Sequence, residues 1–403
     1  MIGHLFRMVW NRRRSNVFIV IELLISFVAL CGALTMVCDF ARLWYQPLGF
    51  DCLDAWRLDV NYPAFRQLDE AGRAEVWNET DRIVQALSGM EEIVTFTPLG
   101  VNVPYNNSLT GYTNYIEGVG HTVRANEVFP AARETLGLDL VAGRWLREDD
   151  RDRDPAAAVI TRDYARLLFG DDDPIDRTYA NADAEGDTGP ERRVVGVVTT
   201  WRQTGELDYP MPAEFVLAPW GPGNYPPHDF VLKIDEGVPA AFEEELLRTV
   251  QQVAPTWSFR VTRVEDMRAS RLEEALTPLL MTGAVAVFLG VMVGLGLVGV
   301  LWQSVTRRTE EIGLRRALGA TTGKVRWQIL GELMALVTIA AGIGTFLFLQ
   351  FVLLDLGART PVGVYLSALG LTLLLVYSFV LVCGLYPGWL ATRVRPAEAL
   401  QYE

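Results

Sequence analysis

The side chains best placed for chemistry lie at 307–324, RRTEEIGLRRALGATTGK, where four arginines and two glutamates stand among glycines, threonines and a lysine. The first chemistry to test is phosphate binding, because GATTGK resembles a nucleotide-cradling loop. That loop needs four residues between its glycines, and a Ser or Thr after the lysine to reach magnesium. Here Ala320, Thr321 and Thr322 separate Gly319 from Gly323, and Val325 follows Lys324. No strand precedes the run, so nucleotide binding by this route is excluded, and Thr322 reads as the cap of the next helix. The remaining chemistry is recognition. Thr309 can cap a helix, Glu310 and Glu311 suit its positive end, and Gly319 suits its stop. Glu311 and Arg315 are four apart and can pair, while Leu314, Ala317 and Leu318 share one face. Such a short capped helix is a docking-surface candidate; the alternative, which the pattern alone favours, is that the arginines serve only as the positive-inside topology signal. Elsewhere the three His (His4, His121, His228) and four Cys (Cys31, Cys38, Cys52, Cys383) have no metal-ligand or catalytic spacing. Cys38 and Cys52 could meet near the outer face, but the sequence does not fix that geometry, and free thiols are the default.

The elements that hold the charged segment are apolar and long. Residues 279–302 before it and 329–354 after it each exceed the ~20 apolar residues that cross a bilayer. Residues 17–38 form a first span, longer than a signal-peptide core and without a clear cleavage site, and 364–386 form an uncharged fourth span. Net charge over the 403 residues is −13, but the short segments 1–16, 303–328 and 387–403 together carry +8, and residues 39–277 carry −19. Arginine-rich short segments stay inside, so both termini and residues 303–328 are expected in the cytoplasm and the acidic insert outside. Residues 1–16 read as an amphipathic interfacial helix against anionic headgroups, and 355–363 as a tight outer link. Glu22 and Glu332 are shallow enough to reach headgroups. Gly290 and Gly294, four apart in the second span, read as a helix contact and a candidate dimer seam. Pro387 and Gly388 are expected to end the fourth span.

The insert, 39–264, reads as mixed α/β. Strands are expected at 56–62, 93–96, 158–161, 193–198, 230–234 and 258–264, and helices at 75–87, 162–169 and 240–253. Residues 98–126, rich in Gly, Asn and Tyr, suit a hairpin or a surface loop; 181–190 and 210–225 read as loops. A stalk helix, 265–278, then runs at the second span. The fold expected is an α-helical membrane protein with four transmembrane helices and a large mixed α/β extracytoplasmic domain between helices 1 and 2. The acidic exterior excludes a nucleic-acid surface and suits a solvated domain or basic partners.

Three places resemble one family, the MacB/FtsX-like ABC-transporter permeases. Residues 309–320, TEEIGLRRALGA, resemble the coupling segment after the family's second transmembrane helix. Gly143 with Arg144, Leu168 to Gly170, Asp173 with Pro174 and 193–198 (RVVGVV) resemble its MacB-type periplasmic core domain, although Asp176 stands where the family usually has Gly. Residues 393–400, RVRPAEAL, resemble its closing cytoplasmic tail. The insert residues identify a fold and not a site. The resemblance implies that a cytoplasmic ABC ATPase made by another chain docks on Glu310, Glu311, Gly313, Leu314, Arg315, Arg316, Ala317, Leu318, Gly319 and Ala320. It implies that ATP and Mg act through that partner, with no cofactor in this chain, and that a second permease subunit completes a homo- or heterodimer in the bacterial inner membrane. The implied activity is mechanotransmission serving export of peptide, lipoprotein, antibiotic or lipid, with a periplasmic adaptor or substrate protein as a further partner. The alternative is an FtsX-like scaffold that activates a cell-envelope hydrolase. A membrane-anchored receptor is a third reading, unsupported by any cytoplasmic signalling domain.

Overall fold

The computed structural model describes residues 13–99, 102–107, 110–183, 185–235, 237–307, 321–354 and 360–391. The chain divides into two compact units, Met1–Arg42 with Leu276–Glu403, and Leu43–Ala275. Helix α1 (Arg13–Trp44) opens the described chain.

The outer unit begins with β1 (Ala55–Asn61), α2 (Glu70–Ser88) and β2 (Ile93–Leu99). Helix α2 starts a full turn before the expected 75, because Asp69 accepts the Gly72 amide at 2.8 Å as an N-cap. Apolar spacing cannot reveal that turn, which is polar. Val76, Trp77, Ile83 and Leu87 recur at helical spacing and are buried.

A second sheet is inserted next. Strands β3 (Gly111–Ile116) and β4 (Val119–Val128) pair antiparallel, and Glu117 and Gly118 turn between them with φ of 52° and 79°. Positive φ at both positions is the turn that matches strand twist, so 98–126 holds a hairpin. Helix α3 (Ala132–Leu136), β5 (Leu140–Gly143), β6 (Ala156–Thr161), α4 (Arg162–Phe169), β7 (Thr178–Tyr179), β8 (Arg192–Val198) and β9 (Ala213–Leu217) follow. The sheet runs β3-β4-β9-β6-β8-β5, with β7 also on β8. Its pairing is mixed, β4–β9 and β6–β8 being parallel. Strand β9 lies inside 210–225, where the sequence suggested only a loop; its flanking prolines and glycines outweigh five strand residues in any pattern count.

Strand β10 (Asp229–Ile234), helix α5 (Phe242–Val253) and β11 (Ser258–Arg263) then complete the first sheet, ordered β11-β1-β10-β2 and antiparallel throughout. A β-α-β, β-α-β chain in that order is a split β-α-β sheet. Helices α2 and α5 cover one face, where Ile83 and Leu246 pack with Leu58 and Phe230. The other face contributes Ala55, Leu99 and Val231 to a core shared with Val159 and Phe215 of the inserted sheet.

The motif residues of the insert are explained by close backbone approach and one clasp. Gly143 has φ of 68°, and a Cβ there would collide with the Val195 carbonyl, just as one on Gly196 would collide with that of Arg144. Arg144 donates two hydrogen bonds, at 2.6 and 2.7 Å, to Asp150, which also accepts the Arg147 amide at 2.9 Å. The Arg144 guanidinium, with that amide and Arg153, holds the Asp150 carboxyl below the usual carboxylate range. Deeper in the sheet, fully buried Glu214 pairs with Arg192 and accepts the Tyr179 hydroxyl at 2.8 Å.

Helix α6 (Val264–Arg307) follows β11 with no intervening residue. The sequence separated a stalk at 265–278 from a span at 279–302, yet a single helix runs through Pro278. Helices α7 (Thr322–Leu353) and α8 (Val362–Ala391) complete the second unit. The N-cap position of α7 is Thr321, one residue before the expected cap, and α8 continues past Pro387 and Gly388 to Ala391. A proline removes only one ladder bond, so it need not end a helix. Among the described residues, four helices are long and apolar enough to cross a membrane, within Val17–Trp44, Val264–Gly296, Leu330–Leu353 and Val362–Cys383. The chain is thus a multi-pass membrane protein with a mixed α/β domain between its first and second spans.

Candidate functional site

The expected docking residues, Glu310, Glu311, Gly313, Leu314, Arg315, Arg316, Ala317, Leu318, Gly319 and Ala320, lie outside the described residues. What is described on either side of them is the packing of the four spans and the attachment of α6 to the outer domain.

In the membrane unit, Ile19 and Leu23 of α1, Val293 of α6, Leu333 and Val337 of α7 and Val380 of α8 form one buried cluster. Small residues bring these helices together, as expected where packing replaces the hydrophobic drive. A Cβ on Gly294 would stand 3.1 Å from Phe379 Cζ of α8, so this glycine admits a neighbouring ring. Gly290 is different. Nothing lies within 4 Å of its missing side chain, and it borders an apolar groove of about 620 Å³ between α1, α6 and α8. The two glycines that the sequence grouped as one face therefore meet different surroundings. Gly344 of α7 makes way for Phe27 of α1, and a Cβ on Gly296 would stand 3.0 Å from Glu22 Oε2. Glu22, read as a headgroup anchor, is half-buried and lies against α6. Near the far end of α1, Asp39 pairs with Arg42 at 3.0 Å and accepts a long hydrogen bond from Thr360 at 3.5 Å.

The root of α6 is built in the outer unit. Arg202, with no exposed surface, donates to the carbonyls of Gln46, Asp208 and Glu206 and so fixes the loop after β8. That loop presents the Glu206 carboxylate, which accepts Arg268 Nε at 2.5 Å; the Arg268 guanidinium also lies 5.9 Å from the centre of the Trp44 ring. One turn further along, Arg271 Nε donates to the Tyr105 carbonyl at 3.1 Å. Val264 is fully buried and Met267 packs on the shared core. The first two turns of α6 are thereby fastened from several sides. Sequence reading singled out none of these residues, since partners 62 and 166 positions apart leave no local pattern.

All four cysteines are free. Burial, with Asp51 and Asp54 adding to it, pushes the Cys52 thiol up to about 12, so it is an inert core residue.

Among the described residues, four helices able to cross a membrane and an α/β domain inserted between the first and second define a multi-pass membrane protein with a large extramembrane domain, and no group of residues there could hold a metal ion. Residues 283–396 match the family described as FtsX-like permease C-terminal. The macrolide export ATP-binding/permease protein MacB of Bdellovibrio bacteriovorus is 28% identical over 297 residues, covering 68% of this chain and 43% of that protein. The uncharacterized ABC transporter permease YknZ of Bacillus subtilis is 21% identical over 326 residues, covering 79% of this chain and 77% of that one. Among solved structures, the periplasmic region of MacB from Actinobacillus actinomycetemcomitans aligns with 54% of this chain and 92% of its own, at 15% identity and a TM-score of 0.36. The chain spans about half the length of most of the curated relatives it matches. Residues 283–396 thus match the FtsX-like permease C-terminal family, and the chain is similar over most of its length to MacB and YknZ permeases.

Proposed function

We propose that this chain is the permease subunit of a MacB/FtsX-like ABC transporter and turns ATP hydrolysis on a partner ATPase into movement of its outer domain. The observation that carries this is α6. It leaves the last strand of the outer domain with no linker and continues through the second span to Arg307, where the charged segment begins. A helix resists compression along its axis, so force applied at one end is available at the other.

In this reading residues 310–320 receive the ATPase in the cytoplasm, ATP and Mg are held by that partner, and both termini face inward in a bacterial inner membrane. The α/β domain faces the periplasm. A second permease subunit, identical or related, completes the complex among membrane lipids. The cargo class is peptide, lipoprotein, antibiotic or lipid, and the name of the MacB relatives points within it to macrolides. Co-expression with the ABC ATPase encoded nearest to this gene, followed by affinity purification, tests the docking. Recovery of the ATPase with the wild type and its loss with Arg315→Glu/Arg316→Glu is the expected result. Unchanged recovery with the double variant overturns it.

A further inference from the structure

The apolar groove between α1, α6 and α8 has one polar end. Its walls include Leu23, Phe27 and Leu30 of α1, Val287 of α6 and Phe379 of α8, and it extends from Leu23 to Val37, roughly 21 Å along α1. A volume of about 620 Å³ over that length makes it long and narrow. Leu280 and Val287 on its rim are 70% and 69% exposed, so it opens to the surrounding hydrocarbon. Among the described residues Ser26 supplies its only polar side chain, and the Ser26 Oγ is buried with no hydrogen-bond partner. Hydrocarbon offers no water to satisfy that hydroxyl. One turn towards the N-terminus, on the same face of α1, stands Glu22. It lies against α6 where Gly296 makes room for Oε2, and among the described residues its carboxylate has no partner.

A carboxylate inside a span is costly unless something neutralises it. The spans themselves supply nothing, because 17–38, 279–302, 329–354 and 364–386 contain no Lys, Arg or His. A second copy seated here by twofold symmetry would present the same patch, and so another carboxylate and no cation. A neutral lipid chain would fill the groove and leave Glu22 and Ser26 unanswered. An apolar chain ending in a positive hydrogen-bond donor answers the groove, the carboxylate and the hydroxyl together. We propose that the groove binds a single-chain cationic amphiphile, its hydrocarbon laid along α1 and its primary ammonium donating to the Glu22 carboxylate and the Ser26 hydroxyl. Such sites take their capacity from apolar walls and their orientation from a few polar groups. Within the transporter reading this names a class of cargo drawn from the membrane, and in that purpose it rests on that reading. The binding itself is a property of this chain alone.

The test uses the full chain in nanodiscs of phosphatidylcholine and phosphatidylglycerol, with no ATPase and no nucleotide. The probe is octadecylamine bearing a mid-chain diazirine, and mass spectrometry of the photolysed protein reads which residues it labels. Labelling of 23–37 and 279–293 is expected to exceed that of the exposed Phe346 and Leu347 of α7 by about tenfold. Unlabelled octadecylamine should displace it, whereas octadecanol and phosphatidylethanolamine should not, which separates a cationic ligand from a neutral chain and from a zwitterionic headgroup. Glu22→Gln is expected to lower groove labelling about tenfold, and Ser26→Ala less. Gly290→Leu, which adds a side chain to the groove wall, should lower it by taking up the space. Should Glu22→Gln fail to fold, displacement from the wild type decides the question. Labelling spread evenly over the lipid-facing positions, equal displacement by octadecanol, a groove closed to the probe by a second copy, or labelling unchanged by Glu22→Gln overturns the proposal. Because no ATPase takes part, that failure leaves the transporter reading untouched, and loss of ATPase docking leaves the binding untouched.

Discussion

The outer domain and the membrane unit solve the same packing problem with opposite materials. In the outer domain, elements far apart in sequence are tied by specific polar contacts: Arg192 with Glu214, Arg144 with Asp150, Arg268 with Glu206. In the membrane unit the close approaches are made by what is missing, at Gly294, Gly296 and Gly344. Water explains the difference. Where the unfolded chain is solvated, burying apolar surface drives collapse and charged pairs fix the register; where lipid surrounds both states, only shape is left to choose a neighbour.

That contrast can be broken or sharpened by substitution. The largest effect is expected at the buried pair of the inserted sheet. Arg192→Met leaves the Glu214 carboxylate, which has no exposed surface, without its cation. Stranding a buried charge costs about 3–5 kcal/mol, so urea unfolding of the outer domain should shift to much lower denaturant. A wild-type midpoint would show that the pair is dispensable. Next comes the membrane side, where Gly344→Val drives a side chain into Phe27. Overpacking of about 1–3 kcal/mol is expected, read as a lower melting temperature in detergent. Gly290→Val, which meets open space, should leave that temperature near the wild-type value. Equal losses at both positions would mean that small size is needed all along the helices and not at particular contacts.

The smallest effect concerns acid. The folded pKa of Asp150 lies below the unfolded carboxylate value, so its stabilisation is complete above about pH 4 and is lost as pH falls through the folded value. Outer-domain stability should therefore decline on acidification below about pH 4, and Asp150→Asn should lack that part of the decline. Asp229 opposes this slope. Burial raises its carboxyl despite Arg57, so its contribution weakens as pH rises. An identical acid slope in the wild type and Asp150→Asn would remove the clasp from the account.

How much of this was legible follows from range. The spans and the helix at 162–169 were readable because each writes its own periodicity or length into the chain. The hairpin at β3 and β4 was half-legible, since Gly118 marks a turn but Glu117 at positive φ does not. Nothing local announces that the chain leaves the first sheet after β2 and returns only at β10. The fastening of α6 was equally hidden, because Glu206 looks like any other surface acid until Arg202 has pinned its loop. Pro278 was visible as a residue, yet its place inside an unbroken helix depends on what lies on both sides of it.

The insertion between β2 and β10 has a consequence for how such molecules diversify. Leu99, where the excursion departs, sits opposite Asp229, where it comes home, on adjacent strands. Entry and exit share one doorway, so the guest sheet can be enlarged or trimmed while the four-strand host keeps its edges. The limit is the guest's own hold on α6, since Tyr105, Arg202 and Glu206 all lie within the excursion and must stay in place.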